Sequence, residues 1–182
     1  CKSDVQVPIE IVVLGNLYCM GTAEHPVTFT SDTKKTEDWG GIICGYNSEE
    51  VVLNHVDLAY AGATPTESSA SFQNHLFKST IDGGVPAFHF CNINGKFVMA
   101  NSFIHDNYND QTYFTGGQGV IYNCIFADNG NATDGGEAIN VKAGCKLDIA
   151  NNIIYNACTN AFKLSNSGNS EVIPLTQITA YN

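Results

Sequence analysis

Ile121-Tyr122-Asn123-Cys124-Ile125-Phe126 and Ile149-Ala150-Asn151-Asn152-Ile153-Ile154 are two copies of one pattern: apolar, any residue, Asn, any residue, then two apolar residues. Met99-Ala100-Asn101-Ser102-Phe103-Ile104 is a third copy, and Val52-Leu53-Asn54-His55-Val56 carries the pattern with a single apolar residue at its end. Asn101 and Asn123 stand 22 residues apart, Asn123 and Asn151 28 apart. A second set of short apolar stretches precedes these, namely Phe88-His89-Phe90, Phe114 within Tyr113-Phe114-Thr115-Gly116, Ile139-Asn140-Val141 and Phe162-Lys163-Leu164, at intervals of 26, 25 and 23 residues. Two kinds of stretch that recur together at one period belong to one repeating structural unit.

Inside a unit the alternation has period 2: Leu147, Ile149, Asn151 and Ile153 fall on one face, Asp148, Ala150 and Asn152 on the other. Three short strands per unit, joined by Gly and Asn turns and stacked on the next unit, predict an all-β fold, a right-handed parallel β-helix of about six coils. Asn suits the repeated step because it tolerates left-handed backbone at a sharp turn and can hydrogen-bond its equivalent one coil away, roughly 4.8 Å along the axis. Asn54, Asn101, Asn123 and Asn151 are expected to form an inward ladder. At roughly 0.5–1.5 kcal/mol per contact such a ladder fixes register, while stacked Ile, Val, Leu and Phe drive folding. A β-sandwich would share the short strands but not an Asn at the same step of every unit, and a leucine-rich repeat would need fixed Leu positions and helix signals that are absent here.

The 182 residues suit one domain with its own core, residues 5–182. Within it, residues 64–86 depart from regular coil length and read as an inserted loop, with Phe72-Gln73-Asn74-His75-Leu76-Phe77 as an alternative extra coil. Eight cations, all Lys, face 18 acidic residues, for a net charge of -10. Nucleic acid is excluded as a partner, because it needs basic groups gathered on one face. The absence of Arg also removes bidentate recognition of carboxylates and phosphates. An apolar content of 43% excludes disorder, and no apolar run approaches the roughly 18 residues of a membrane span. Charged residues reach only 14% against a usual level of about 25%, and Gly, Asn, Ser and Thr fill the difference.

Seven Cys, at 1, 19, 44, 91, 124, 145 and 158, form no CxxC pair and no zinc-finger spacing. Cys44 and Cys91 sit in apolar runs and read as buried thiols. Cys1-Lys2-Ser3-Asp4 resembles the start of a mature bacterial lipoprotein. That resemblance implies lipidation at Cys1, a tether over residues 1–4 and membrane contact only through the lipid anchor.

Three further segments carry a wider resemblance: Gly21-Thr22-Ala23-Glu24-His25-Pro26-Val27-Thr28-Phe29-Thr30-Ser31, Trp39-Gly40-Gly41-Ile42 and Val56-Asp57-Leu58-Ala59-Tyr60-Ala61-Gly62. With the coils they cover most of residues 14–165. The chain resembles the right-handed parallel β-helix repeat proteins of the pectate-lyase-like superfamily and, more narrowly, the surface or secreted β-helix proteins of Bacteroidetes. The resemblance implies a fold and a bacterial cell-envelope address, outer-membrane-anchored or secreted, more than a reaction.

Members of that superfamily that cleave uronic-acid polysaccharides use Arg or Lys as the base and calcium or cationic groups to neutralise the carboxylate. Here only Lys142 and Lys163 are placed to share an outer face in adjacent coils, and solvated lysines explain them as well. A hydrolase would need two convergent carboxylates. The best acidic cluster comprises Asp106-Asn107-Tyr108-Asn109-Asp110 and Asp128-Asn129-Gly130-Asn131-Ala132-Thr133-Asp134. Asp106 lies five residues after Asn101 and Asp128 five after Asn123, so the two should stack, with Asn156 next in the column. Carboxylates about 5 Å apart repel unless a cation or proton intervenes. Asp106, Asp110, Asp128, Asp134 and Tyr108 are therefore the candidate cation or glycan site, with Ca2+ as the cation that suits hard oxygen ligands; the bland alternative is Asp and Asn capping turns. The five His form neither HExxH nor a partner to a nucleophile elbow, and no catalytic residue emerges. Ile178-Thr179-Ala180-Tyr181-Asn182 is strand-like with no cap signal, so either the chain is truncated or an envelope partner protein covers an open β-helix end. The sequence thus points to a non-enzymatic structural or binding subunit, accessory to an outer-membrane complex. A carbohydrate-binding surface module and a polysaccharide lyase-like enzyme are the alternatives.

Overall fold

The computed structural model describes residues 7–76, 85–130, 136–142, 144–165 and 177–181. Cys1 and Asp134 lie outside the described residues.

The chain is a parallel β-helix. Among the described residues three sheets, every pairing parallel, run along its axis. Sheet A stacks Glu10–Val13, Gly41–Cys44, Phe88–Phe90, Thr112–Phe114, Ile139–Val141 and Phe162–Leu164. Sheet B stacks Leu17–Met20, Glu50–Asn54, Lys96–Ala100, Gln118–Tyr122, Lys146–Ala150 and Gln177–Tyr181. Sheet C stacks Val27–Phe29, Val56–Ala59, Phe103–His105, Ile125–Ala127 and Ile153–Tyr155. One strand of each sheet makes a coil, and the chain passes A, B, C before starting the next.

Alternation assigns the faces. In Lys96–Ala100 and Lys146–Ala150 the second and fourth residues, Phe97 with Met99 and Leu147 with Ile149, are buried. Their neighbours in register, Gly119 and Ile121, complete two inward rows, Phe97-Gly119-Leu147 and Met99-Ile121-Ile149. The core is densest where Phe88, Phe90 and Phe114 from sheet A meet Phe97 from sheet B: the Phe97 and Phe114 rings stack at 4.4 Å, with Phe90 5.2 Å from Phe97 and Phe88 5.9 Å from Phe114. Each of these four is at most 2% exposed, and burying a Phe stabilises by about 1.5–3 kcal/mol.

Two columns of left-handed residues make the corners around sheet C. His55, Asn101, Asn123 and Asn151 (φ 50 to 54°) turn the chain from B into C, and Tyr60, Asp106, Asp128 and Asn156 (φ 49 to 63°) turn it out again. Asn and Asp bear this conformation at low cost, which explains their repetition. The corner amides keep the ladder unbroken, since His55, Asn101 and Asn123 donate to the Ala100, Tyr122 and Ala150 carbonyls, each at 3.1 Å. Asn101 Nδ2 donates to Asn54 Oδ1 (2.8 Å) and Asn123 Nδ2 to Asn101 Oδ1 (3.2 Å). Register puts His55 rather than Asn54 opposite Asn101, because Asn54 pairs with Ala100; the side chains close that one-residue offset. Of the four residues expected in an inward ladder, Asn54 and Asn101 are half-buried and Asn123 and Asn151 exposed; the buried amides sit just past the second corner. Asn107 Oδ1 accepts from the Ala61 amide (2.8 Å) and its Nδ2 donates to Gln111 Oε1 (2.9 Å), while Asn129 Oδ1 accepts from the Cys158 amide (2.6 Å).

Among the described residues, 64–76 and 85–86 add no strand: sheet A pairs Gly41–Cys44 directly with Phe88–Phe90, and sheet C pairs Val56–Ala59 with Phe103–His105. The segment instead carries a single-turn helix, Ala70–Gln73, held by Ser71, whose amide and hydroxyl donate to the two Glu10 carboxylate oxygens at 2.8 and 2.5 Å. Among the described residues no helix is long and apolar enough to cross a membrane.

Candidate functional site

Because strand residues alternate, every inward residue of sheet B has an outward neighbour, and parallel register lines these up in straight rows. The first row is Glu50, Lys96, Gln118, Lys146 and Gln177; the second is Tyr18, Val52, Val98, Val120, Asp148 and Thr179; the third is Met20, Asn54, Ala100, Tyr122, Ala150 and Tyr181. A groove of about 560 Å3 runs over the first two rows, along the axis from Glu50 to Gln177 and Thr179. Its floor is the Val98–Val120 pair, its polar wall the first row. Tyr18, Tyr122 and Tyr181, 55%, 37% and 61% exposed, flank it with aromatic rings. The Tyr18 hydroxyl donates to Glu50 Oε2 at 2.6 Å, which fixes that ring and pushes its pKa above the ordinary value.

These groove residues were not among those singled out from sequence, although a signal existed. Lys96, Gln118 and Lys146 each precede a corner Asn (101, 123, 151) by five residues, so the repeat that locates the corners also locates the groove wall.

The acidic cluster read from sequence is divided by the structure. Asp106 and Asp128 do occupy equivalent corner positions, with Asn156 next, as their spacing implied. Each is already engaged: Asp106 Oδ2 lies 2.7 Å from His105 Nδ1, and Asp128 Oδ1 accepts from Asn156 Nδ2 (2.9 Å). His105 also reaches Asp57 through Nε2 (2.9 Å) and stacks on Phe103 at 3.9 Å. Tyr108 is half-buried and its amide donates to the Ala61 carbonyl. Asp110 turns inward, 5% exposed, and accepts from the Gly136 and Glu137 amides (3.2 and 2.9 Å) and from Asn140 Nδ2 (2.8 Å). Among the described residues no three His, Cys, Asp or Glu side chains are arranged to hold a metal ion.

Asp110 belongs instead to a buried carboxyl pair with Glu137. Burial, then the hydrogen bond with Glu137, holds the Asp110 carboxyl well above the usual range. Burial alone would raise Glu137 too, but the Asp110 hydrogen bond and Lys163, whose Nζ is 2.9 Å from Oε1, outweigh it and pull Glu137 down. Asp110 is thus the carboxyl of the pair that favours its protonated form, and Glu137 the one that favours its anion. Lys142 and Lys163 do lie on the outer face of sheet A in adjacent coils, but Lys163 is bound to Glu137 and Lys142 Nζ sits 5.5 Å over the Tyr113 ring. His89, on the same face, is buried and pushed down to about 3 by loss of solvation. Cys19, Cys44, Cys91, Cys124 and Cys145 are buried free thiols, and burial raises the pKa of every one, so none is poised as a nucleophile.

Comparison with protein-family models, with curated proteins and with solved structures finds no match to this chain.

Proposed function

We propose that this chain is a non-enzymatic glycan-binding β-helix of the bacterial cell envelope, with the outer face of sheet B as its binding surface. One observation carries the reading: a straight groove crosses five consecutive strands of that sheet, with a polar side chain recurring once per coil along its wall. Strands repeat at about 4.8 Å, close to the rise of one pyranose in an extended polysaccharide, so successive coils meet successive sugars in the same way. Amide and hydroxyl groups suit sugar hydroxyls, and the flanking tyrosines supply flat faces with a polar tip.

The segments that resemble the pectate-lyase-like superfamily and the Bacteroidetes surface proteins support an envelope address, outer-membrane-anchored through Cys1 or secreted. Mass spectrometry of the N-terminal peptide tests that anchor, and an unmodified Cys1 in the mature native protein excludes it. An accessory role in an outer-membrane complex is the second reading. It is favoured by Phe162 and Leu164, which stand in register with buried Ile139 and Val141 yet are 40% and 54% exposed, core-type side chains that a further coil or a partner protein would cover.

The test of the glycan reading is an array of extended oligosaccharides followed by calorimetry on the strongest binder. Replacing Tyr122 by Ala is expected to weaken that binder by about tenfold or more, as loss of an interfacial aromatic does, with the melting temperature unchanged. An array without binders, or a Tyr122→Ala protein that binds as before, removes the reading.

A further inference from the structure

The groove of sheet B has a charge pattern finer than its shape. Along its wall the coils present Lys96, Gln118, Lys146 and Gln177, opposite one another in register. Cation and amide alternate, so positive charge returns every second coil, about 9.5 Å apart given the strand spacing. Among the described residues neither lysine takes part in an ion pair. This holds although Glu50 stands opposite Lys96 and Asp148 shares a face with Lys146 two residues on. Lys163 on sheet A is the contrast, since its ammonium is committed to Glu137.

We propose, resting on the glycan-binding role of this face, that the groove takes a glycan carrying one anionic group per disaccharide. The anions, carboxylate or sulfate ester, meet Lys96 and Lys146, and the uncharged sugars between them meet Gln118 and Gln177. Two coils match one disaccharide if each coil meets one sugar. An ammonium is a point charge that accepts either kind of anion without the planar fork of a guanidinium. A polymer charged on every sugar fits worse: its extra anions fall on the amide positions, Glu50 and Asp148 repel them locally, and the net charge of -10 opposes a dense polyanion at long range.

Calorimetry with four hexasaccharides on the full chain decides this: cellohexaose (uncharged), hyaluronan (one carboxylate per disaccharide), κ-carrageenan (one sulfate per disaccharide) and hexagalacturonate (a carboxylate on every sugar). Hyaluronan or κ-carrageenan is expected to bind at least about tenfold tighter than cellohexaose, a typical gain for a charge-assisted hydrogen bond, and added salt should erode that margin. Whichever of the two binds identifies the anion. The exposed double substitution Lys96→Gln, Lys146→Gln should erase the margin, so that on that variant the charged hexasaccharides bind no tighter than cellohexaose, with the melting temperature unchanged. Cellohexaose binding as tightly as the alternating glycans, hexagalacturonate binding tightest, or a margin that survives the double substitution overturns the charge-pattern inference while the groove reading stands. If none of the four binds, the charge-pattern inference falls, and the oligosaccharide array alone decides the groove reading.

Discussion

Asp110 shows how far a single residue can depart from what its neighbours in sequence suggest. Asp106-Asn107-Tyr108-Asn109-Asp110 reads as a polar turn, yet its last carboxyl is interior and meets Glu137, a residue of the following coil. Spacing could place Asp106, whose left-handed corner recurs at Asp128 and Asn156. It could not place Asp110, because turns vary in length and their side chains follow no period. The buried pair makes a prediction about pH. Asp110 is raised from 3.8 to about 7 on folding, so the stability it contributes is complete below about pH 4 and is lost as pH rises towards 7. Glu137 is lowered from 4.5 to about 2, so its contribution is present above its ordinary range and is lost as pH falls towards 2. The two together place maximum stability from this pair near pH 4, with a decline on either side. Substituting Asp110 by Asn removes the titrating proton and should flatten the decline between about pH 4 and 7, leaving the acid limb. Thermal melts of both proteins across that range check it, and an undiminished decline in the variant refutes the pair as its source.

At the scale of elements, the parts best read from sequence are those under repeated constraint. Strands of sheets B and C meet at a one-residue corner, so Asn101, Asn123 and Asn151 reveal the strand before and the strand after. The helix Ala70–Gln73 was not legible, because four residues carry no measurable period and its anchor, Glu10, lies 61 positions away from Ser71. The groove wall was legible only in principle, since outward positions look like any solvated polar residue until register lines them up. Gly119 shows what close stacking demands of one strand. It occupies an inward position between Phe97 and Leu147, and a Cβ there would strike the Phe97 carbonyl oxygen and lie 2.8 Å from its ring carbons. Phe97 is itself held against Phe90 and Phe114, so it has nowhere to move. Gly119→Ala should therefore destabilise by about 1–3 kcal/mol, the usual cost of overpacking a core, measurable as a lower urea midpoint. A variant as stable as the parent would mean that neighbouring coils separate more easily than the ring stack implies.

Over the whole molecule, stability should be distributed as in a one-dimensional stack, where each coil is supported by the coils it touches. The exposure of the core follows that rule. Phe114 contacts coils on both sides, in register with Phe90 and Val141 in sheet A, and is fully buried; Phe162, pairing with Ile139, is 40% exposed. Truncating Phe114 to Ala should cost about 3–5 kcal/mol, the range for a large aromatic removed from a core. Phe162→Ala should cost much less, because less of that ring leaves the protein interior. Amide exchange should grade likewise, slowest in the Lys96–Ala100 and Gln118–Tyr122 strands and faster in Phe162–Leu164, which among the described residues pairs with one strand only. The groove lies across the strands expected to exchange most slowly, so the proposed glycan ligand would meet a preorganised surface and should add protection mainly at Gln177–Tyr181, the strand with most to gain. Uniform exchange along the axis, or equal losses from the two Phe truncations, would show instead that the coils open as a single cooperative block.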